Sequence, residues 1–194
     1  AALMAVPSVM FAASYDWSAV QDTSQGYSAA ISDDGSIAYV GRVDAGSANA
    51  KVWKSIDGGS SWSVLANSPS RYSWLDLDSS SDGTKVIGFG YADGASQTKL
   101  YRTSDSGANW SELSNSPDQE WSDVSVSGDG MTILGGSKFT GLWRSLDEGV
   151  TWTNVDPLPG SWWLGVAVST DGQRMAAAHI SGGIYLSSNA GTTW

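Results

Sequence analysis

Asp118 and Glu120 stand one residue apart and run directly into Trp121. Two carboxylates flanking a bond are what glycoside hydrolysis ordinarily needs, one to protonate the leaving oxygen and one to attack or to activate water. Arg71, Tyr72 and Trp74 form a similar charged and aromatic run, and Trp162 and Trp163 a third. Aromatic rings beside carboxylates suit sugar stacking or a protein-binding hot spot. The candidate ligand-binding residues are therefore Arg71, Tyr72, Trp74, Glu120, Trp121, Trp162 and Trp163. For Trp74, Trp121 and Trp163, recurrence along the chain favours packing between repeated units over contact with a ligand. No residue is assigned a catalytic role, since spacing alone does not fix how Asp118 and Glu120 face one another.

Other chemistries lack their residues. There is no Cys, which removes disulfides and thiolate metal sites, and the single His179 removes a multi-histidine centre. The Asp-Gly pairs lack the ligand spacing of a calcium loop, and no Gly-rich phosphate cradle leads into a helix. No cofactor or metal is expected. Twenty acidic residues against ten basic ones give a net charge of −10, without the cationic cluster that nucleic acid or an anionic membrane needs. No run reaches the ~18 apolar residues of a membrane span. Residues 109–111 form a glycosylation sequon, but inside a repeated motif.

These residues sit on a repeat. Trp17, Trp62, Trp110, Trp152 and Trp194 recur every 42 to 48 residues, a period that signals a repeat architecture. Four of them close an octet: SIDGGSSW at 55–62, TSDSGANW at 103–110, SLDEGVTW at 145–152 and SSNAGTTW at 187–194. Midway between octets lie Asp34-Gly35, Asp82-Gly83, Asp129-Gly130 and Asp171-Gly172, which are hairpin signals because Gly accepts the positive φ of the turn. Period-two alternation before these turns sets Leu75 and Leu77 to one side of a strand and Asp76 and Asp78 to the other. Strands are predicted after the turns at 37–40, 86–89, 132–134 and 175–178. Others are predicted before the octets at 51–53, 99–101, 141–143 and 183–185, and from each octet Trp onward. Each repeat thus holds four antiparallel strands, a to d, and no long helical pattern occurs.

The octet resembles the Asp-box, or BNR repeat, S-x-D-x-G-x-T-W. Asp57, Asp105 and Asp147 keep its acid, Asn189 replaces it once, and Trp62, Trp110, Trp152 and Trp194 keep its Trp. Sialidases, xyloglucan-cleaving hydrolases, sortilin-type receptors and photosystem II assembly factors carry such repeats. The resemblance implies an all-β propeller of four-stranded antiparallel blades. About four repeats are present, near 18–62, 63–110, 111–152 and 153–194, within a domain spanning 15–194. A sialidase would further need an arginine cluster and a Tyr–Glu pair. Arg102 and Arg144 share the repeat position of Lys54 and read as scaffold, which leaves Arg42, Arg71 and Arg174 without a local motif. The octet residues read as structural, because turn hydrogen bonding explains them without a ligand.

Antiparallel connectivity puts the a–b and c–d turns on one face and the variable d–a and b–c loops on the other, where binding residues tend to lie. Residues 1–14 are uncharged and read as the remnant of a targeting segment or as an apolar arm. The functional expectation is a non-catalytic recognition or structural module, extracellular or in an organelle lumen, with a protein or glycan partner. The alternatives are a glycan-processing hydrolase with most catalytic residues outside this span, and a lumenal photosystem-assembly-like factor. The doubled strand start at Trp17 and Trp194 argues against a closed four-bladed ring and for a larger chain or assembly.

Overall fold

The computed structural model describes residues 26–43, 49–71, 73–91, 98–158, 160 and 162–194. Trp17, Tyr72 and residues 1–14 lie outside them. The described residues form fifteen strands and no helix. The first sheet runs β1 (Gly26–Ile31), β2 (Ala38–Arg42), β3 (Val52–Ser55) and β4 (Ser63–Val64). The second runs β5 (Ser73–Ser79), β6 (Val86–Tyr91), β7 (Thr98–Thr103) and β8 (Ser111–Glu112). The third runs β9 (Trp121–Val126), β10 (Ile133–Ser137), β11 (Leu142–Ser145) and β12 (Thr153–Asn154). The fourth holds β13 (Trp163–Val168), β14 (Met175–His179) and β15 (Ile184–Ser187). Each sheet is an antiparallel meander in chain order, with four strands in the first three and three in the last. The last departs from the four strands predicted for each repeat, because no described strand pairs with the outer edge of β15.

The a–b turns are built alike. Ser32, Ser80, Ser127 and Ser169 each donate a hydroxyl hydrogen bond to the Asp two residues on, at 2.6 to 2.7 Å. The following Gly takes positive φ, from 68° to 75°, where a side chain would be strained. Backbone bonds then pass from sheet to sheet along these turns. Asp33 donates to Ser81 at 2.8 Å, Ser81 to Gly128 at 2.9 Å and Gly128 to Thr170 at 2.9 Å.

The core lies between sheets. Trp74 and Leu77 of the second sheet pack on Tyr39 and Val52 of the first. Trp121 and Val124 of the third pack with Phe89 and Leu100 of the second. Trp163 of the fourth packs on Leu142 of the third. A β-bulge decides which side each Trp takes. The β5–β6 register shifts between Trp74 and Asp76, and equivalent shifts occur at Ser137, opposite Trp121, and between Trp163 and Gly165. Strict alternation would put Trp74 beside Asp76 and Asp78. The extra residue turns it to the side of Leu77. Leu75, expected on that side too, packs instead on the cluster between the second and third sheets.

Trp121 is 1% exposed and lies against Gly135, where an added Cβ would fall 2.3 Å from its ring. Trp121→Ala should therefore lower the unfolding free energy by ~3–5 kcal/mol, and Gly135→Ala should also destabilise by overpacking. Urea denaturation reads both. An unchanged midpoint for either variant would show that this cluster does not set stability.

Candidate functional site

The octet turns are closed by their own side chains. Ser55 donates to Asp57 Oδ1 at 2.8 Å and accepts from the Gly59 amide at 2.8 Å. The Ser61 amide and hydroxyl both donate back to Asp57, at 2.8 and 2.6 Å. The other octets repeat this around Asp105, Asp147 and Asn189. Hydrogen bonds from Ser61 and Ser55 hold the Asp57 pKa down at about 2, and those from Asn109 and Thr103 do the same for Asp105. Trp62 and Trp152 donate their indole N–H to the octet Gly carbonyl at 3.0 Å. The rings of Trp110 and Trp152 pack 5.5 Å from Trp74 and Trp121, and Trp194 packs in the cluster of Trp163. These side chains are consumed by the turn and the core.

The residue at octet position four is left-handed even where it is not Gly: Ser106 at 58°, Glu148 at 58° and Ala190 at 52°. Its carbonyl meets a cation from the preceding sheet. Lys54 donates to Ser106 at 3.0 Å, Arg102 to Glu148 at 2.8 Å, and Arg144 to Ala190. Glu148 also pairs with Lys85 at 2.5 Å and Arg102 at 2.7 Å. Arg102 and Arg144 are thus tied into scaffold bonds.

A second acidic system lies along the inner strands. Asp76 accepts from the Leu77 amide with one oxygen and from the Val124 amide of the next sheet with the other, both at 2.9 Å. Asp78 does likewise with Ser79 at 2.8 Å and Val126 at 2.7 Å. Asp123 accepts from Val166 at 2.5 Å, and the Ser125 hydroxyl from Val168 at 3.1 Å. Burial first, and then the neighbouring Asp123, push the Asp76 pKa well above the usual carboxylate range. Burial also raises Asp78, against hydrogen bonds from Val126, Ser79 and Ser125.

On the opposite face, the loops that carry the sequence candidates are tied in pairs. Ala50 bridges to Arg71 and Thr98 to Gln119, while the Lys138 amide donates to Glu120 and the Ile180 amide to Trp162, both at 3.0 Å. Trp74, Trp121 and Trp163, named as ligand candidates although their recurrence favoured packing, are 0%, 1% and 0% exposed. The bulges bury them between sheets and leave no face for stacking. Arg71 lies 4.2 Å over the Tyr101 ring, and the Tyr101 hydroxyl donates to Glu112 at 3.0 Å. That Tyr is 5% exposed. Asp118 and Glu120 pair with different lysines: Asp118 with Lys99 at 2.5 Å, and Glu120 with Lys138.

Glu120 and Trp162 do come together, with residues the sequence reading passed over. Lys138 pairs with Glu120 and sits 5.7 Å over the Trp162 ring. Tyr91 donates to Glu120 at 2.9 Å. Phe139, 66% exposed, lies 6.3 Å from Trp162 at an interplanar angle of 41°. The bond from Lys138 holds Glu120 below its ordinary pKa and raises Lys138 in turn. The result is a small shelf with an aromatic surface and a fixed ion pair. Its one sequence signal was a Lys-Phe step in an otherwise small, polar loop.

No known protein family matches the sequence, and no curated protein does. Its shape is similar to that of a GH74 xyloglucanase from Xanthomonas campestris, at 20% identity and a TM-score of 0.65 over 88% of this chain and 29% of that one. A GH74 enzyme from Niastella koreensis gives 17% and 0.69 over 88% and 29%. Kuenenia stuttgartiensis hydrazine synthase gives 15% and 0.59 over 84% and 58%. The described strands form part of a β-propeller. Its four sheets are blades 1 to 4, with β1, β5, β9 and β13 innermost. At these identities the likeness is one of fold, and the chain spans about 29% of the length of the two GH74 proteins.

The inner-strand carboxylates make a pH prediction. The folded state holds a proton on Asp76, facing Asp123 with Asp78 beside it, at pH values where the unfolded chain has released it. Stability should then fall as pH rises from the ordinary carboxylate range through neutrality. Asp76→Asn should flatten that slope. Urea titrations at about pH 5 and pH 9 compare the two, and equal slopes would remove the Asp76 proton from the account.

Proposed function

We propose that this span is a non-catalytic recognition and structural part of an extracellular or lumenal protein, and that its ligand sits on the loop face at Phe139 and Trp162. The use of the carboxylates carries this reading. Asp57, Asp105 and Asp147 hold octet turns, Asp76, Asp78 and Asp123 cap inner-strand amides, and Asp118 and Glu120 are bound to separate lysines. Hydrolysis of a glycosidic bond asks two carboxyl groups to face one bond in different protonation states. Phe139 and Trp162, by contrast, present aromatic surface beside hydrogen-bonding groups, which suits the apolar face of a sugar or a protein side chain.

A second reading is favoured by the likeness to xyloglucanases: a glycan-processing parent whose catalytic residues lie outside this span. Both readings give the shelf a glycan ligand to test first. On an array of β-linked oligosaccharides that includes xyloglucan fragments, Phe139→Ala and Trp162→Ala should each weaken binding about tenfold, or ~1.4 kcal/mol, with little change in urea midpoint. Silence across the array, with a protein partner lost on the same substitutions, would assign the shelf to protein recognition. Binding that survives both substitutions would move the site elsewhere. Xyloglucan cleavage by this chain, abolished by Glu120→Gln, would overturn the non-catalytic reading.

A further inference from the structure

The outward face of blade 4 departs from the pattern of the other three outward faces. Val52, Leu100 and Leu142 hold one register position on β3, β7 and β11, and each is 0% exposed beneath the next blade. Ile184 holds that position on β15 and is 76% exposed. Two residues on, where Lys54, Arg102 and Arg144 reach the next octet carbonyl, β15 carries Leu186, 68% exposed. A hollow of about 570 Å³ lies here, lined by Val168, Arg174, Met175, Ala176 and Leu186 among others.

The inner strand differs as well. Asp76 and Asp78 of blade 2 hand acceptors to amides of blade 3, and Asp123 and Ser125 hand them to blade 4. The matching positions of β13 are Gly165 and Ala167, which have no acceptor to hand on. Blade 1 offers almost as little, with Ser28 and Ala30 at these positions. There the following strand supplies its own caps: Asp76 accepts from Leu77 and Asp78 from Ser79.

We infer that the outward face of blade 4 is the seat of a further four-stranded antiparallel blade, one whose inner strand caps its own amides with an Asp-x-Asp pattern as β5 does. The three interfaces already present supply the template, and the uncapped strand with Leu186 narrows what fits it. The first blade of a second copy fits poorly, because Ser28 and Ala30 would meet Gly165 and Ala167 with no carboxylate on either strand. A blade on this face also covers Ile184 and Leu186, as Val52, Leu100 and Leu142 are covered. Its octet carbonyl receives no cation from Leu186, so apolar contact replaces that tie.

The test extends the full chain after Trp194 in the same repeat register. One form adds a second copy of residues 63–110, which carries Asp76 and Asp78. The other adds a second copy of residues 153–194, which carries Gly165 and Ala167. Both supply a strand to pair with β15, so their difference reports on the inner strand. Hydrogen exchange of the β13–β15 amides should slow at least about tenfold more with the first extension. Alanine at both added Asp positions should reduce it to the level of the second. Equal protection by the two extensions, or protection by neither, would overturn the proposal. So would self-association of the unextended chain, seen by sedimentation and abolished by Ile184→Glu, which would assign the face to a second copy.

Discussion

One side chain holds each c–d turn: the acid or amide at octet position three. It gathers the hydroxyl two residues before it and the amide four residues after it into one oxygen. With the chain closed so tightly, position four is left-handed and its carbonyl points out of the turn. That carbonyl is the group the preceding blade grips through Lys54, Arg102 or Arg144. A local hydrogen-bonding pattern therefore becomes a blade-to-blade contact. Asn189 can replace Asp because it keeps one acceptor oxygen for Ser187 and Thr193, while its amide nitrogen donates to Thr193.

The same economy explains how a chain with net charge −10 keeps so many acids close together. Most are acceptors for amides and hydroxyls rather than partners in exposed ion pairs, which contribute little. Those at the turn face are exposed and held ionised by donors. Those along the inner strands are half-buried, and Asp76 and Asp78 are driven toward the protonated form. Innermost strands would otherwise present open edges, and the carboxylates cover them from the same or the preceding blade.

With the turn face saturated by its own bonds, the proposed recognition site lies on the other face. There the d–a and b–c loops are tied in pairs but differ in sequence from blade to blade. The step from blade 3 to blade 4 is where an exposed ring, a second ring and a fixed Lys–Glu pair coincide.

Much of this architecture was legible in the chain. The period of the octets, the Asp-Gly turns and the alternation between them placed the strands, because turn chemistry is local and only a few residue types satisfy it. The scaffold role of Arg102 and Arg144 was legible from their shared repeat position. The packing of Trp74, Trp121 and Trp163 was the reading their recurrence favoured, but the bulge that achieves it was not legible. A period-two pattern read from the chain has no way to register a bulge, and one extra residue turns a ring from the channel side into the interface. The shelf proposed as a ligand site was half legible: Glu120 and Trp162 were named, but Lys138 and Phe139 come from another loop of the same blade-to-blade step. Sequence determined the repeat and its turns, since those depend on neighbours along the chain. Only the tertiary structure decided which side chains are buried between blades and which stay exposed, since that depends on how successive blades are set against one another.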